Sequence, residues 1–303
     1  MNTNKKILVA LDLDEQSMIA LKYAEYYAQR LNYELEIVTV IEQAGLISSL
    51  FSTDEMIEKL KKELQKKINQ IVKTCSKKIH IHAHILEGKA YEKIGELANQ
   101  LKPAFIIMGR SEFAKKEISF IGSTCMHVIL ESGFPVITVR GYRDIEKYRK
   151  NNNEILLPLD FKKEVRKQVS VAIELANLLE MPIHLISIQT SGGKGREAKI
   201  LTQLGLFKKI ITDAGIKCSS EMINEPGKKI YELICKEAVK RDSAFILIMT
   251  HAENKIASFF IGSNAMDIIH HSDIPVISVE PWDKDSEKSL FEMISDPLNV
   301  FEK

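Results

Sequence analysis

Short apolar runs alternate along the chain with longer stretches in which apolar side chains recur every three or four residues. The first run, residues 7–11, ends at Asp12, and residues 17–31 then carry apolar positions at helical spacing. Residues 35–40 form a second apolar run, and residues 53–78 form a long charged stretch with one apolar stripe. This alternation predicts strands and helices in turn, which is typical of a parallel sheet covered by helices on both faces.

The same alternation continues through residue 139. It predicts a third strand at residues 79–86, a third helix at 91–101 and a fourth strand at 104–108. A fourth helix is predicted from Gly122-Ser123-Thr124 onward, and a fifth strand at 135–139. A polar loop opened by Gly109 separates the fourth strand from its helix. In such sheets, ligands bind where the strand order reverses, so the loops after strands one and four are the expected site.

The pattern then starts again. Residues 155–160 echo residues 7–12, and the segments at 261–263 and 275–279 repeat those at 121–123 and 135–139. A repeat of this length predicts a duplicated domain rather than a solenoid unit. The fold class is therefore α/β, with two doubly wound, open, parallel, five-stranded sheets. The expected boundaries are residues 1–142 for the first domain, 143–152 for a linker, 153–282 for the second domain and 283–303 for a charged tail.

Composition narrows the function classes. The 303 residues carry a net charge of +1, which gives no reason to expect a nucleic acid or an anionic membrane surface as a partner. The longest apolar runs fall short of the roughly 18 residues that span a bilayer. The four cysteines stand far apart without metal-ligand spacing, so we expect reduced thiols and a cytoplasmic protein.

The loop that ends in Gly122-Ser123 has the chemistry of an anion site. The start of a helix carries unpaired backbone N–H groups and a partial positive charge, both of which favour a phosphate. Both halves also resemble the universal stress protein domain, whose signature is a glycine, two residues, a second glycine, nine residues, and Gly-Ser or Gly-Thr. The first half has Gly109, then Glu112 in place of the second glycine, then Gly122-Ser123. The resemblance covers about residues 5–141 and 153–281.

This resemblance implies a Rossmann-like fold of the adenine nucleotide alpha hydrolase type, with strand order 3-2-1-4-5 in each half. It also implies an adenine nucleotide, ATP or AMP with Mg²⁺, as cofactor of the first half. The implied binding residues for adenine, ribose, nucleoside and phosphates are Ala10, Asp12, Val40, Met108, Gly109, Gly122, Ser123 and Thr124. The matching positions of the second half are Pro158, Asp160, Ile188, Gly262, Ser263 and Asn264.

Two departures from the signature bear on binding. Glu112 places a carboxylate in the phosphate loop. One carboxylate–phosphate pair at ~4 Å costs about 4 kcal/mol at an effective dielectric constant of ~20. Mg²⁺ or the nearby Lys115 and Lys116 would offset part of that cost. In the second half we expect a loop one residue shorter, with Thr250 in place of the first glycine and Glu253 near the second. We hypothesise that Glu112 and Glu253 occupy the phosphate position themselves.

Histidines offer a second candidate chemistry. His80, His82 and His84 alternate along the third strand and so share one face, a spacing that can bind zinc. The sequence shows no acidic or cysteine partner near them, so the outer face of an edge strand is the preferred interpretation. His127, His270 and His271 are expected at the surface or at helix ends. We find no Ser-His-Asp arrangement or paired carboxylates, so no catalytic residue is assigned.

The strands at residues 135–139 and 275–279 are short apolar edge strands, which invite pairing. The resemblance implies that they meet within the chain as a pseudo-dimer, and a homodimer is also compatible. The expected function is a non-catalytic stress-response or regulatory module that binds an adenine nucleotide in the first half and acts on a protein partner. Two alternatives remain open: a nucleotide-independent partner-binding protein with both sites closed, and a slow ATP-hydrolysing enzyme.

Overall fold

The computed structural model describes residues 5–42, 54–110, 122–141, 153–161, 165–190, 194–250 and 262–280. In the first half, the strands β1 to β5 are Lys6–Ala10, Glu34–Ile41, Ile81–Glu87, Phe105–Gly109 and Val136–Val139. The helices α1 to α4 are Glu15–Leu31, Asp54–Thr74, Ala90–Leu101 and Ser123–Glu131. In the second half, the strands β6 to β10 are Ile155–Pro158, Ile183–Gln189, Cys218–Asn224, Phe245–Met249 and Val276–Val279. The helices α5 to α8 are Val165–Leu179, Lys194–Asp213, Ile230–Lys240 and Ser263–His271.

The strands of the described residues form one sheet in the order β3-β2-β1-β4-β5-β10-β9-β6-β7-β8. Each half has the predicted order 3-2-1-4-5, and the strands within a half are parallel. The α/β class and the doubly wound halves are therefore as predicted. The two five-stranded sheets are joined edge to edge, which makes them one continuous ten-stranded sheet.

The join is the antiparallel pair β5–β10, so the predicted pairing of these two edge strands is found. Ile137 lies opposite Ile277, with Thr138 opposite Val276 and Val136 opposite Ser278. Ile137 and Ile277 occupy the same position in their respective halves. The register is therefore symmetric about this pair, and a pseudo-two-fold axis relates the halves.

Helices cover both faces of the sheet, because the strands are apolar on both sides. One core contains residues of β1, β4, β6 and β9 together with α1, α5 and α6. The other core lies on the opposite face, under α3, α4, α7 and α8. Both cores run through the two halves without interruption, which follows from the continuous sheet.

Helix α1 shows how local sequence and tertiary packing agree. The Asp14 side chain caps the helix by accepting a hydrogen bond of 2.6 Å from the backbone N–H of Ser17. Asn32 ends the helix in a left-handed conformation with φ 54°. Tyr27 packs against both Phe105 of its own half and Phe245 of the other, with ring centroids 6.3 and 5.6 Å away. The helix therefore belongs to the join as much as to the first half.

The predicted elements and the observed ones differ mainly at their ends, by one to four residues. The proposed linker at residues 143–152 and the tail at 283–303 lie outside the described residues. All four cysteines are free thiols.

Candidate functional site

A cavity of about 370 Å³ lies at the carboxyl ends of the central strands of the first half. Seven of the eight predicted binding residues line it, namely Ala10, Asp12, Val40, Met108, Gly109, Gly122 and Thr124. Ser123, the eighth, is exposed at the start of α4 and is not among the lining residues. The volume falls in the range of small-molecule sites. The structure thus brings together residues that are more than 100 positions apart in sequence, between β1 and β4 where the strand order reverses.

The loop after β1 forms one wall of the cavity. The backbone N–H of Leu11 donates to the carbonyl of Val38 at 2.8 Å and so continues the strand. The Asp12 carboxylate then accepts a hydrogen bond of 3.0 Å from the N–H of Asp14, in a turn that leads directly into the cap of α1. This turn holds the Asp12 backbone at the cavity while its side chain remains exposed.

Gly109 is required by the packing of its own neighbours. A Cβ atom at this position would lie 2.4 Å from the carbonyl carbon of Gln16 and 2.6 Å from the backbone nitrogen of Ser17. The first turn of α1 therefore passes directly over the end of β4. The sequence signature suggested that this glycine lets the backbone approach a phosphate, but its own neighbours already exclude a side chain.

Helix α4 begins at the cavity, and the first backbone N–H groups of a helix have no carbonyl partner within the helix itself. Gly122 precedes the helix with φ −50° and ψ 136°, and no side chain caps the described residues of its first turn. Thr124 and Cys125 of that turn line the cavity. Burial raises the pKa of the Cys125 thiol to about 12, so it is a neutral wall group and not a nucleophile. The arrangement suits an anion that is held by backbone N–H groups.

Acidic side chains also line the cavity, and the sequence analysis missed two of them. Asp14 and Glu42 join Asp12 there, and the described lining residues include no lysine or arginine. The Glu42 carboxylate accepts a hydrogen bond of 2.8 Å from the N–H of Ala90 and so caps the start of α3. Its place directly after an apolar strand was the available signal, since such positions lie at the carboxyl edge of the sheet.

The matching cavity of the second half is smaller, about 190 Å³. Its walls include the predicted Pro158, Asp160, Ile188, Gly262, Ser263 and Asn264. Met249 and Gln168 also line it, and the Gln168 amide donates to the carbonyl of Pro158 at 3.0 Å. The corresponding positions in the first half are Gly109 and Ala20, which have little or no side chain. These two larger side chains account for the smaller volume.

The expected loop alignment of the second half is wrong by one residue. Arg110 and Thr250 make the same bond, from their backbone N–H groups to the carbonyls of Val139 and Val279. Thr250 therefore matches Arg110, and Met249 replaces the first glycine. Twelve residues separate Gly109 from Gly122, and twelve separate Met249 from Gly262, so the second loop is not shorter. The pairing of β4 with β5 and of β9 with β10 establishes this alignment.

Residues 111–121 and 251–261, with Glu112, Lys115, Lys116 and Glu253, lie outside the described residues, so the hypothesis about these acids stays a hypothesis. The corrected alignment places Glu253 one position further along its loop than Glu112.

Among the histidines, His127 contacts Glu131 at 2.7 Å and stacks on Tyr91 at 4.2 Å between ring centroids. His271 stacks on Tyr231 at 4.8 Å.

Comparison with known proteins now adds to this geometry. The Universal stress protein family matches residues 3–140 and again residues 151–280. The chain belongs to the universal stress protein family. It is 22% identical over 297 residues to the Universal stress protein Slr1230 of Synechocystis, with 90% of this chain and 99% of that protein covered. It is also 28% identical over 142 residues to the Universal stress protein MJ0531 of Methanocaldococcus jannaschii, with 46% of this chain and 84% of that protein covered.

A solved universal stress protein from Archaeoglobus fulgidus shares the fold, with a TM-score of 0.73 and 17% identity over 94% of this chain and 100% of that one. The likeness extends through both halves, so the tandem arrangement is common to the two proteins. Within the described part of this chain, no helix combines the length and the apolar character needed to cross a membrane.

Proposed function

We propose that this universal stress protein is a non-catalytic regulatory module of the cytoplasm that binds one adenine nucleotide, in its first half. The units would be residues 1–142 and 153–282, with a linker at 143–152 and a tail at 283–303. The observation that carries the proposal is the 370 Å³ cavity lined by seven of the eight predicted residues. The floor of the cavity is the point between β1 and β4 where the strand order reverses, and one wall is the start of α4. In α/β proteins, nucleotides bind in this arrangement.

The roles we assign follow the walls of this cavity. Ala10, Asp12 and Val40, at the ends of β1 and β2, would hold adenine and ribose. Met108 and Gly109 would lie along the nucleoside, and Gly122, Ser123 and Thr124 would present N–H and hydroxyl donors to the phosphates. The second half, with Met249 and Gln168 in the smaller cavity, would bind no nucleotide.

The acids that line the cavity determine which nucleotide it favours. Asp12, Asp14 and Glu42 repel phosphates, and the described walls supply no basic side chain in compensation. We therefore expect affinity without Mg²⁺ to fall from AMP to ADP to ATP, and Mg²⁺ to restore most of the loss for ATP. The same acids favour the main alternative, a partner-binding protein whose sites take no nucleotide at all.

Calorimetric titration with adenosine, AMP, ADP and ATP, with and without Mg²⁺, tests the proposal. Val40→Trp fills the first cavity, and Ile188→Trp is the matched control at the same position of the second half. We expect one nucleotide per chain, a loss of at least about 100-fold for Val40→Trp, and no change for Ile188→Trp. Failure of every nucleotide to bind or to shift the melting temperature would instead establish the nucleotide-independent alternative.

The enzymatic alternative has its own readout. Product analysis after prolonged incubation with ATP and Mg²⁺ would detect slow hydrolysis, and Ser123→Ala is the variant that removes a hydroxyl from the phosphate end of the proposed site. Turnover that this substitution abolishes would replace the non-catalytic assignment with that of an ATP-hydrolysing enzyme.

A further inference from the structure

A cluster of ionisable side chains lies far from the cavity, at the amino-terminal ends of β1, β2 and β3. It consists of Lys6, Glu34, Glu36, His82 and His84, and is called the β1–β3 cluster below. Lys6 lies opposite Glu34 in the β1–β2 pair, and Glu36 lies opposite His82 in the β2–β3 pair. The strands project these side chains from one face, at the outer edge of the sheet. The predicted edge position of the histidines is found, but the expectation that they lack an acidic partner is wrong.

Glu36 is the buried centre of the cluster, with 1% of its side chain exposed. One carboxylate oxygen, Oε1, accepts a hydrogen bond of 2.5 Å from Lys6 Nζ. The other, Oε2, lies 2.7 Å from His84 Nε2. Both carboxylate oxygens of this buried side chain are therefore held by specific partners, away from bulk water.

Three side chains of the cluster have the chemistry of metal ligands. Ligand atoms of Glu34, Glu36 and His82 all lie within 4.8 Å of one another. Carboxylate oxygens and an imidazole nitrogen are a donor set that zinc accepts, at about 2.0–2.2 Å from each atom. Two ligands of one tetrahedral zinc ion are then about 3.3–3.6 Å apart. The most distant of these ligand atoms must therefore approach one another by up to about 1.5 Å, which rotation of the exposed His82 side chain permits.

The site already holds a positive charge. Lys6 Nζ lies 2.5 Å from Glu36 and 3.7 Å from Glu34, between the same carboxylates that a metal would use. Its side chain is 26% exposed and carries the charge on a flexible four-carbon stem, so it can move outward into water. His84, which holds the second oxygen of Glu36, orients that carboxylate as outer partners of metal ligands do.

We propose that the β1–β3 cluster is a zinc site in which Zn²⁺ displaces the Lys6 ammonium from Glu36. Glu34, Glu36 and His82 are the ligands, water takes a fourth position, and His84 is the outer partner that fixes Glu36. The ion replaces one cation with another, so the buried carboxylate stays neutralised throughout. The site is independent of nucleotide, because the proposed nucleotide cavity lies at the opposite ends of the same strands.

The second half supplies an internal control, since the same positions there carry different chemistry. Glu154 corresponds to Lys6, His184 to Glu36, Ser219 to His82 and Glu221 to His84. Glu154 is paired with Arg241, and His184 Nδ1 shares a hydrogen bond of 2.6 Å with Ser219. Glu34 and Glu36, which share one face of β2, have no equivalent there, because Pro182 and His184 occupy those positions. We expect no zinc site in the second half.

Zinc titration of the full-length chain by calorimetry tests the proposal, with Co²⁺ absorption as a readout of ligand geometry. We expect one site per chain that His82→Gln weakens at least about tenfold and Ser219→Ala leaves unchanged. Lys6→Gln removes the competing ammonium, so zinc should bind at least about tenfold tighter and raise the melting temperature more than in the wild type. Equal zinc affinity of the wild type and His82→Gln, or weaker binding by Lys6→Gln, would overturn the proposal.

Lys6→Gln leaves Glu36 with fewer partners and can fail to fold. Glu34→Gln then takes its place, since it neutralises a less buried ligand and retains the shape of the side chain. A zinc affinity for Glu34→Gln at least about tenfold below that of the wild type supports the site, and an unchanged affinity contradicts it.

Discussion

Gly109 shows how a single residue can carry two constraints. The sequence signature connects it with the phosphate loop, and the structure shows that it also packs against the backbone of Gln16 and Ser17. The two constraints are independent, because the first concerns a ligand and the second the first turn of α1. Loss of nucleotide binding after a change at Gly109 would therefore not by itself identify a contact with nucleotide.

We predict that Gly109→Ala destabilises the protein by about 1–3 kcal/mol, as overpacking does elsewhere, since α1 must move away from β4. Gly262→Ala, before α8 in the second half, is the comparison at a glycine without close neighbours, since an added Cβ there meets nothing within 4 Å. It should cost about 0.5–1 kcal/mol, because alanine is less favourable than glycine at the residue that caps the start of a helix. Urea denaturation of both variants is the measurement, and equal losses would contradict the packing argument.

The residues of the candidate site were predictable to different degrees. Asp12, Gly109 and Gly122 follow from strand ends and from a spacing within one short segment. Glu42 and Asp14 were missed because their place in the cavity depends on which strand ends meet, which local sequence does not state. Met249 was missed because Thr250 was aligned with Gly109, and only the strand register distinguishes these neighbouring positions.

At the scale of elements, β2 and β7 are equivalent strands of the two halves, but they bury different polar groups. Glu36 of β2 is a buried anion paired with Lys6, and His184 of β7 is a buried neutral group beside Glu154 and Arg241. Burial lowers the pKa of His184 below its ordinary value of 6.5, and Arg241 adds to this effect. The apolar pattern predicts both strands, but it carries no information about polar partners that lie 30 or more residues away in the sequence.

The neutral state of His184 predicts a loss of stability in mild acid. With a folded-state pKa below 6.5, the unfolded chain binds more protons, so the free energy of unfolding falls as the pH drops through 6.5. His184→Gln should reduce the loss between pH 7.5 and 5.5, measured by urea denaturation at both values. Burial also lowers the pKa of His270, to about 4, which contributes in the same direction. Part of the acid-induced loss of stability should therefore remain in the His184→Gln variant. An unchanged slope in the variant would show that His184 does not titrate as described.

At the scale of the whole molecule, the join between the halves is symmetric in its backbone and asymmetric in one buried charge. Arg110 is 5% exposed and donates a hydrogen bond of 2.8 Å to the carbonyl of Ser272, across the join. Burial lowers its pKa to about 10. Thr250 holds the matching position and bonds within its own half, to the carbonyl of Val279. Among the described residues, Arg110 is therefore the one guanidinium group buried at the join.

We predict that each half, produced alone as residues 1–142 or 153–282, forms a homodimer through its exposed β5 or β10 strand. The symmetric register allows it, since Ile137 or Ile277 would lie opposite its own copy. The dimer of first halves would bury two Arg110 side chains, whereas the dimer of second halves would bury Thr250 instead. We expect the first to dissociate at least about tenfold more readily in sedimentation experiments. Monomeric halves, or the reverse order of affinity, would contradict this account.

The long sequence separation of the paired strands β5 and β10 also has a consequence for synthesis of the protein on the ribosome. Ile137 meets Ile277, which is made 140 residues later. At about 5–20 residues per second, the β5 edge leaves the ribosome about 7–28 s before β10 does. During that interval, two nascent chains on neighbouring ribosomes can pair through the same strand. Slower translation of the second half should therefore increase the yield of dimers that are paired through β5. A chaperone bound to the nascent chain, or faster translation of the second half, should reduce that yield.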